Sequence, residues 1–228
     1  MSINVIGDIA GQYDTLMDLL DIMPDCRPVS VGDMIDRGPD SNLVLEFFRK
    51  HGDAVLGNHE HLMLDWIFSR GIYDRGVWFM NGGEETVKSY SPDNTIGKNK
   101  KDSMQHINKK DIAYLQNLPL KLEFNLNNTQ FLITHAPVNP VFGLDKAMKQ
   151  VEDSCGGGNS VIWNRGKTKA MAGIDLQVFG HNASKSVKWF GKGTPHSVCI
   201  DTSHAEILTG IHLPSMDIYQ VPFRKNKE

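Results

Sequence analysis

The sequence has few cysteines, no long apolar run and little net charge. Its three cysteines, Cys26, Cys155 and Cys199, include no CxxC pair, which argues against a disulfide framework or a zinc ribbon and favours a reducing, cytoplasmic compartment. No apolar run approaches the roughly 20 residues that span a bilayer. Asp8 and Gly11 interrupt the first run, so neither a membrane partner nor a signal peptide is expected. A net charge of −3 gives no electrostatic reason to expect a nucleic-acid partner.

What the chain does contain is a repeating rhythm of short apolar runs and amphipathic segments. Its length fits one domain of residues 1–228. Residues 13–20 and 43–48 carry apolar side chains at helical spacing, each between two short apolar runs. This pattern indicates units in which a strand, a crossover helix and a second, parallel strand follow one another. In such units the loops that follow the strands lie at one edge of the sheet.

The rest of the chain predicts a helical insertion followed by strands. Residues of about 61–118 are predicted to be mostly helical, with a helix over His61–Arg70 that Asn58 caps, a loop at 91–101 and a helix end before Pro119. Strands are then expected at 120–126, 129–134, 176–179, 186–190, 197–201, 206–212 and 217–222. The predicted fold class is therefore α/β, in a single domain.

Five of the apolar runs end in a side chain that can bind a metal ion. These side chains are Asp8, Asp33, Asn58, His135 and His181. Glycine directly precedes all of them except His135 and lets the backbone turn tightly at a strand end. Oxygen and nitrogen donors without a thiolate favour divalent ions such as Mn, Fe or Zn. Two ions about 3.5–4 Å apart can bind a phosphoryl group and activate water, so the pattern predicts a two-metal site that Asp33 can bridge.

Charged side chains beside these ligands indicate phosphate chemistry. Arg37 could hold a phosphate bidentately. His59 adjoins Asn58 and could protonate a leaving alkoxide as general acid, with Asp36 orienting its imidazole and raising its pKa. Arg165 is a candidate second phosphate-binding group, although a lone arginine is more often a surface residue. Together these residues predict hydrolysis of a phosphate ester.

These segments resemble the motifs of the PPP-type metallophosphatase family. The matching segments are Gly7–Gly11 (GDxHG in the family), Gly32–Gly38 (GDxVDRG), Gly57–Glu60 (GNHE), Thr134–Ala136 (HA or HG) and Gly180–His181 (GH). Their order and spacing match from residue 3 to about 202. The short chain and its Trp163–Arg165 segment are most similar to the compact phage and bacterial members.

The resemblance implies a calcineurin-like metallophosphoesterase fold, with a central β-sandwich flanked by helices and a helical insertion at about 61–118. It implies two divalent metals, commonly Mn. Asp8 and Asp33 would bind the first metal, and Asp33, Asn58, His135 and His181 would bind the second.

The resemblance also implies how the substrate is handled. His59 would be the general acid paired with Asp36, and Arg37, Arg165 and Asn58 would hold the phosphate. A metal-bound water would attack directly, releasing phosphate from phosphoserine, phosphothreonine and often phosphotyrosine in proteins, or from small phosphate esters. Compact relatives also include dinucleoside tetraphosphate hydrolases and nucleotide phosphodiesterases, which the motifs do not separate.

Two positions depart from the family pattern. Ala10 stands where the family has a first-metal histidine and offers no donor atom, so the first site is expected to be weaker than the second and activity reduced. Because the other motifs are intact, a recent loss of that histidine is favoured over long divergence. A non-catalytic phosphate-binding protein is the alternative that Ala10 leaves open. Ser203 replaces a glycine that is common in the family, which could alter the rim of the site.

Overall fold

The computed structural model describes residues 1–68, 75–97, 100–139, 141, 143–153 and 158–224. Within this part of the chain, ten strands form two five-stranded sheets, and both sheets contain parallel and antiparallel neighbours. The α/β class predicted from the sequence is confirmed. None of the described helices combines the length and apolarity that a membrane span requires.

The first sheet has the spatial order β10-β9-β1-β2-β3. Its strands are β1 (Ile3–Ile6), β2 (Pro28–Ser30), β3 (Asp53–Ala54), β9 (Ile207–Leu213) and β10 (Asp217–Pro222). β1, β2 and β3 run parallel, so their carboxyl ends lie at one edge.

The second sheet has the spatial order β4-β5-β6-β8-β7. Its strands are β4 (Lys121–Leu126), β5 (Thr129–Thr134), β6 (Leu176–Phe179), β7 (Lys188–Phe190) and β8 (Ser197–Cys199). Here β5, β6 and β8 are the parallel strands.

Helices connect and flank the sheets. They are α1 (Tyr13–Ile22), α2 (Ser41–His51), α3 (Asn58–Phe68), α4 (Arg75–Trp78), α5 (Glu84–Tyr90), α6 (Lys100–Met104), α7 (Lys109–Gln116) and α8 (Gly143–Asp153). A kinked turn at Phe79–Gly83, where Gly82 has a φ of 103°, joins α4 to α5. In the described part of residues 61–118, the regular elements are these helices and the kinked turn.

The sheets pack face to face through a buried apolar layer. Val5 and Val29 of the first sheet share this layer with Phe131 and Val178 of the second. Alternate residues of β1 point to opposite faces, so Ile6 instead joins a larger cluster with the helices around α1 to α3. Because both faces are covered, β1 is buried along its whole length.

Three local expectations were wrong. The Asn58 side chain does not cap a helix that starts at His61. Instead α3 begins at Asn58, whose Oδ1 contacts two histidine rings; the end predicted at Arg70 lies outside the described residues. The loop expected at 91–101 ends earlier, because α6 starts at Lys100. The apolar run at 54–56 predicts a strand that reaches Gly57, but β3 stops at Ala54, and the N–H of Leu56 donates to the carbonyl of Pro119 outside the sheet.

The sequence interpretation also missed α8. No helix was predicted between the strands expected at 129–134 and 176–179, but Leu144, Ala147, Met148 and Val151 have helical spacing. They pack against a separate apolar cluster that includes Leu132 of β5. This helix therefore covers the outer face of the second sheet.

Candidate active site

The five predicted metal ligands all lie at the ends of parallel strands and are all buried. Asp8, Asp33 and Asn58 follow β1, β2 and β3 of the first sheet, and His135 and His181 follow β5 and β6 of the second. The carboxyl edges of both sheets meet at this point. The structure therefore brings together the five side chains that the sequence singled out.

Asn58, His135 and His181 converge tightly. The Oδ1 atom of Asn58 lies 2.9 Å from Nε2 of His135 and 2.8 Å from Nδ1 of His181. Asp33 Oδ1 lies 3.3 Å from the same Nε2 of His135. The ligand atoms of Asp33, His135 and His181 fall within 4.8 Å of one another. Four lone-pair donors in such a small buried volume fit a divalent cation.

Backbone and burial keep these donors in states that can bind a metal. Nδ1 of His135 donates to the carbonyl of Val31 at 2.8 Å, which leaves Nε2 with its lone pair. Burial lowers the pKa of His135, and burial together with His135 lowers the pKa of His181 to about 3. Burial acts to raise the pKa of Asp33, but the nearby histidines lower it to about 2. Neutral imidazoles beside an ionised carboxylate are the forms that coordinate metals.

The first metal position is poorer in donors. Burial, then the charges of Asp201 and Asp33, raises the pKa of Asp8 well above its usual value. Such crowding of buried carboxylates is relieved by a cation. Ala10 lies in the same cavity and contributes only a methyl group, so Asp8 and Asp33 are the two predicted ligands left at this position.

Asp36 and His59 form a buried pair beside the ligands. His59 Nδ1 lies 2.6 Å from Oδ2 of Asp36, which also accepts from Trp78 Nε1 at 3.0 Å. Oδ1 of Asp36 accepts from the Thr86 hydroxyl at 2.6 Å. Burial lowers the pKa of His59, but Asp33 and the bond to Asp36 outweigh it and raise the pKa to about 9. The other ring nitrogen, Nε2, lies 3.0 Å from Nη2 of Arg37, within reach of a phosphate held by that guanidinium.

Glu60 has a role that sequence reasoning missed. Its fully buried carboxylate accepts the backbone N–H groups of Asp33 at 2.9 Å, Met34 at 2.7 Å and Gly57 at 3.0 Å. Glu60 thus ties the loop after β2 to the loop after β3 and fixes the spacing of their ligands. In the sequence, Glu60 was recognised only as the last residue of the Gly57–Glu60 motif.

Arg165 stands at the exposed side of a cavity of about 430 Å³ that opens over the ligands. Its Nη1 donates to the carbonyl of His181 at 3.0 Å, which anchors the guanidinium over the site. The other residues that form the rim are Gln12, Asn81, Trp163, Ala183, Ser203, His204, Glu206 and Phe223. Most of the rim was not predicted, because rim residues are scattered along the chain without a motif.

Buried oxygen and nitrogen donors at converging strand ends, with arginine and a carboxylate–histidine pair beside them, define a metal-dependent phosphoesterase. The chain belongs to the calcineurin-like phosphoesterase family, whose sequence model matches residues 1–184. The predicted calcineurin-like fold is confirmed by this match and by the fold of solved relatives.

Similar proteins include some named as protein phosphatases and others named as nucleotide hydrolases. Serine/threonine-protein phosphatase 1 of Salmonella typhimurium is 31% identical over 78% of this chain and 76% of its own. Serine/threonine-protein phosphatase 2 of Escherichia coli is 27% identical over 87% and 85%. A symmetrical bis(5'-nucleosyl)-tetraphosphatase of Shewanella is 32% identical over 61% of this chain and 46% of its own. A solved candidate diadenosine tetraphosphatase, 22% identical, shares the fold with a TM-score of 0.63 over 99% of this chain and 95% of its own.

Proposed function

We propose that this protein is a cytoplasmic phosphomonoesterase that removes phosphate from phosphoserine and phosphothreonine, with phosphotyrosine also accepted. The proposal rests on the position of Asn58, whose Oδ1 atom lies within 3 Å of a ring nitrogen of both His135 and His181. The His59–Asp36 pair lies next to this group. Mn is the expected metal, with Fe or Zn as alternatives. Phosphoprotein phosphatases at about 30% identity support the substrate class.

The second metal would be held by Asp33, Asn58, His135 and His181, and the first by Asp8 and Asp33. When bound, divalent ions at these positions supply charge neutralisation of the phosphate and activation of the attacking water. The chain's own groups do the rest of the binding. Since Oδ1 of Asn58 faces the histidine rings, its amide nitrogen is left to donate to a phosphate oxygen.

Arg37 and Arg165 bind the phosphate from the open side. Both line the cavity over the ligands, and planar guanidinium groups match pairs of phosphate oxygens. Arg37 also places the phosphate next to His59, because the two side chains are 3.0 Å apart. Nε2 of His59 then donates a proton to the leaving-group oxygen, while Asp36 holds the opposite nitrogen.

Phosphate release from p-nitrophenyl phosphate in Mn²⁺ tests the proposal, with Ala10→His measured in parallel. We expect slow turnover by the natural chain and faster turnover by Ala10→His, because a nitrogen donor returns to the first site. His135→Ala, which removes a buried ligand, should abolish turnover in both backgrounds. If the natural chain and the Ala10→His variant both bind metal yet release no phosphate, the proposal is wrong.

Nucleotide hydrolysis is a second candidate, supported by the bis(5'-nucleosyl)-tetraphosphatase relative. A side-by-side assay of diadenosine tetraphosphate and a phosphoserine peptide separates the two. A large preference for the dinucleotide would replace the phosphoprotein proposal.

Phosphate binding without turnover is a third candidate, supported by the missing donor at Ala10. Calorimetry at saturating Mn²⁺ would then show tight binding of a phosphopeptide that is recovered intact. Any measurable hydrolysis under these conditions removes this candidate.

A further inference from the structure

We infer that Asp201 provides the ligand to the first metal that Ala10 lacks, so that a carboxylate of the second sheet replaces an imidazole of the first. The inference rests on the proposed function and deepens it. It concerns a residue outside the five matching motif segments.

The chain path places Asp201 beside Asp8. A Cβ atom on Gly7 would lie only 2.6 Å from the carbonyl oxygen of Ile200, so the end of β1 touches the segment that follows β8. Asp8 directly follows Gly7, and Asp201 directly follows Ile200. Asp201 lines the same cavity as Asp8 and Ala10.

The side chain of Asp201 is buried, and only one of its two carboxylate oxygens accepts hydrogen bonds. The side chain is 2% exposed. Oδ1 accepts the backbone N–H of Ser203 at 3.1 Å and its hydroxyl at 2.7 Å. Among the described residues, Oδ2 has no hydrogen-bond partner and no cationic side chain pairs with this carboxylate. Oδ2 is open to the cavity, where a cation can contact it.

Ser203 connects the two departures from the family pattern. A glycine at this position has no hydroxyl, so the bond of 2.7 Å that fixes Oδ1 would be absent. The chain thus lacks a donor at Ala10 and has an extra group that orients Asp201. Gln12, His204 and Glu206 also line the cavity, but Gln12 is uncharged and the other two are exposed.

A carboxylate ligand also changes which metal is preferred. Carboxylate oxygen suits Mn²⁺, whereas imidazole nitrogen suits Zn²⁺ better. The first site built from Asp8, Asp33 and Asp201 should therefore favour Mn²⁺ over Zn²⁺.

Titration calorimetry with Mn²⁺ on the full chain tests the inference, together with electron paramagnetic resonance of the loaded protein. We expect about two ions per natural chain, as in two-metal sites, with the spectrum of a coupled pair. Asp201→Asn should keep the tighter ion, weaken the other by at least about 10-fold and give the spectrum of isolated Mn²⁺. Asp217→Asn, an exposed carboxylate elsewhere, is the matched control and should bind like the natural chain.

Two further variants make the result decisive. Ala10→His added to Asp201→Asn should restore binding of the first metal, which a merely unfolded variant would not do. Ser203→Gly should weaken binding of the first metal without removing any of its ligands.

The outcomes that overturn the inference differ from those that overturn the proposed function. Unchanged binding of both ions by Asp201→Asn removes Asp201 as a ligand, and a single ion in the natural chain does the same. Either result leaves the proposed phosphatase in place, with two bound ions in the first case and one in the second. Absence of Mn²⁺ binding by the natural chain would remove the proposed function as well.

Discussion

Several site residues adopt a backbone conformation that residues other than glycine usually avoid. Asp33, Asp36, Arg37 and His181 have φ values of 52°, 75°, 66° and 64°, and Ala10 has 51°. Such strain concentrates at functional sites, where surrounding contacts hold the residue in place. Each strained residue lies in a loop that follows a strand of the sandwich. The turns direct Ala10, Asp33, Arg37 and His181 to the cavity and Asp36 to His59.

His59→Gln tests the general acid. We expect kcat for phenyl phosphate to fall about 10²–10⁴-fold, since its leaving group needs a proton. The loss should be much smaller for p-nitrophenyl phosphate, whose leaving group departs as an anion. The measurement is kcat for both substrates, with His106→Gln, an exposed histidine that does not line the cavity, as control. An equal loss on both substrates would show that His59 acts in another way.

Glu60→Ala tests how the ligand loops are held. The change leaves three buried N–H groups without an acceptor. Each unsatisfied group costs about 1–3 kcal/mol, so we expect the free energy of unfolding in urea to fall by at least about 3 kcal/mol. The exposed Glu84→Ala should change it little. A loss below about 1 kcal/mol for Glu60→Ala would contradict this account of the loops.

At the scale of elements, the helical insertion supports the catalytic pair. Trp78 at the end of α4 and Thr86 in α5 both donate to Asp36, which lies in the loop after β2. The Thr86 hydroxyl also accepts the backbone N–H of Asp36 at 2.9 Å. The insertion is therefore part of the site, because it fixes the carboxylate that orients His59.

Thr86→Val removes the hydroxyl and keeps the shape of the side chain. We expect the free energy of unfolding to fall by about 2 kcal/mol, because the buried Asp36 loses a donor and an acceptor. We also expect lower kcat with little change in KM, since His59 loses its support while the phosphate-binding groups remain. Thr95→Val, at an exposed position, is the control. Normal kcat in a Thr86→Val protein would show that Asp36 does not depend on α5.

The elements differ in how far the sequence could predict them. Strand ends before Asp8, Asp33 and His181 were predictable, because an apolar run, a glycine and a ligand follow one another directly. α8 was predictable from its helical spacing, although no element was predicted between the strands at 129–134 and 176–179. The contacts of Trp78 and Thr86 with Asp36 could not be predicted. Trp78 is 42 positions and Thr86 is 50 positions from Asp36, and no local pattern links them.

At the scale of the whole molecule, the site lies where the two sheets meet. The first sheet supplies Asp8, Asp33 and Asn58, and the second supplies His135 and His181. A metal bound to both sets would link the sheets in the folded state and would not bind the unfolded chain in the same way. Metal binding should therefore stabilise the whole fold.

Thermal unfolding with and without Mn²⁺ tests this linkage. At a metal concentration of about 100 times Kd, we expect stabilisation of about 2.7 kcal/mol and a higher Tm. A chelator should reverse the shift. His135→Ala should abolish most of it, whereas the exposed His106→Ala should keep it. The same shift in His135→Ala as in the natural chain would place the metal elsewhere.

The most direct test of the central claim is a crystal of the Mn²⁺-loaded protein measured for anomalous scattering. The account predicts a strong anomalous peak among Asp33, Asn58, His135 and His181, where the donor atoms converge. A crystal grown in saturating Mn²⁺ with no peak between these four side chains would contradict it.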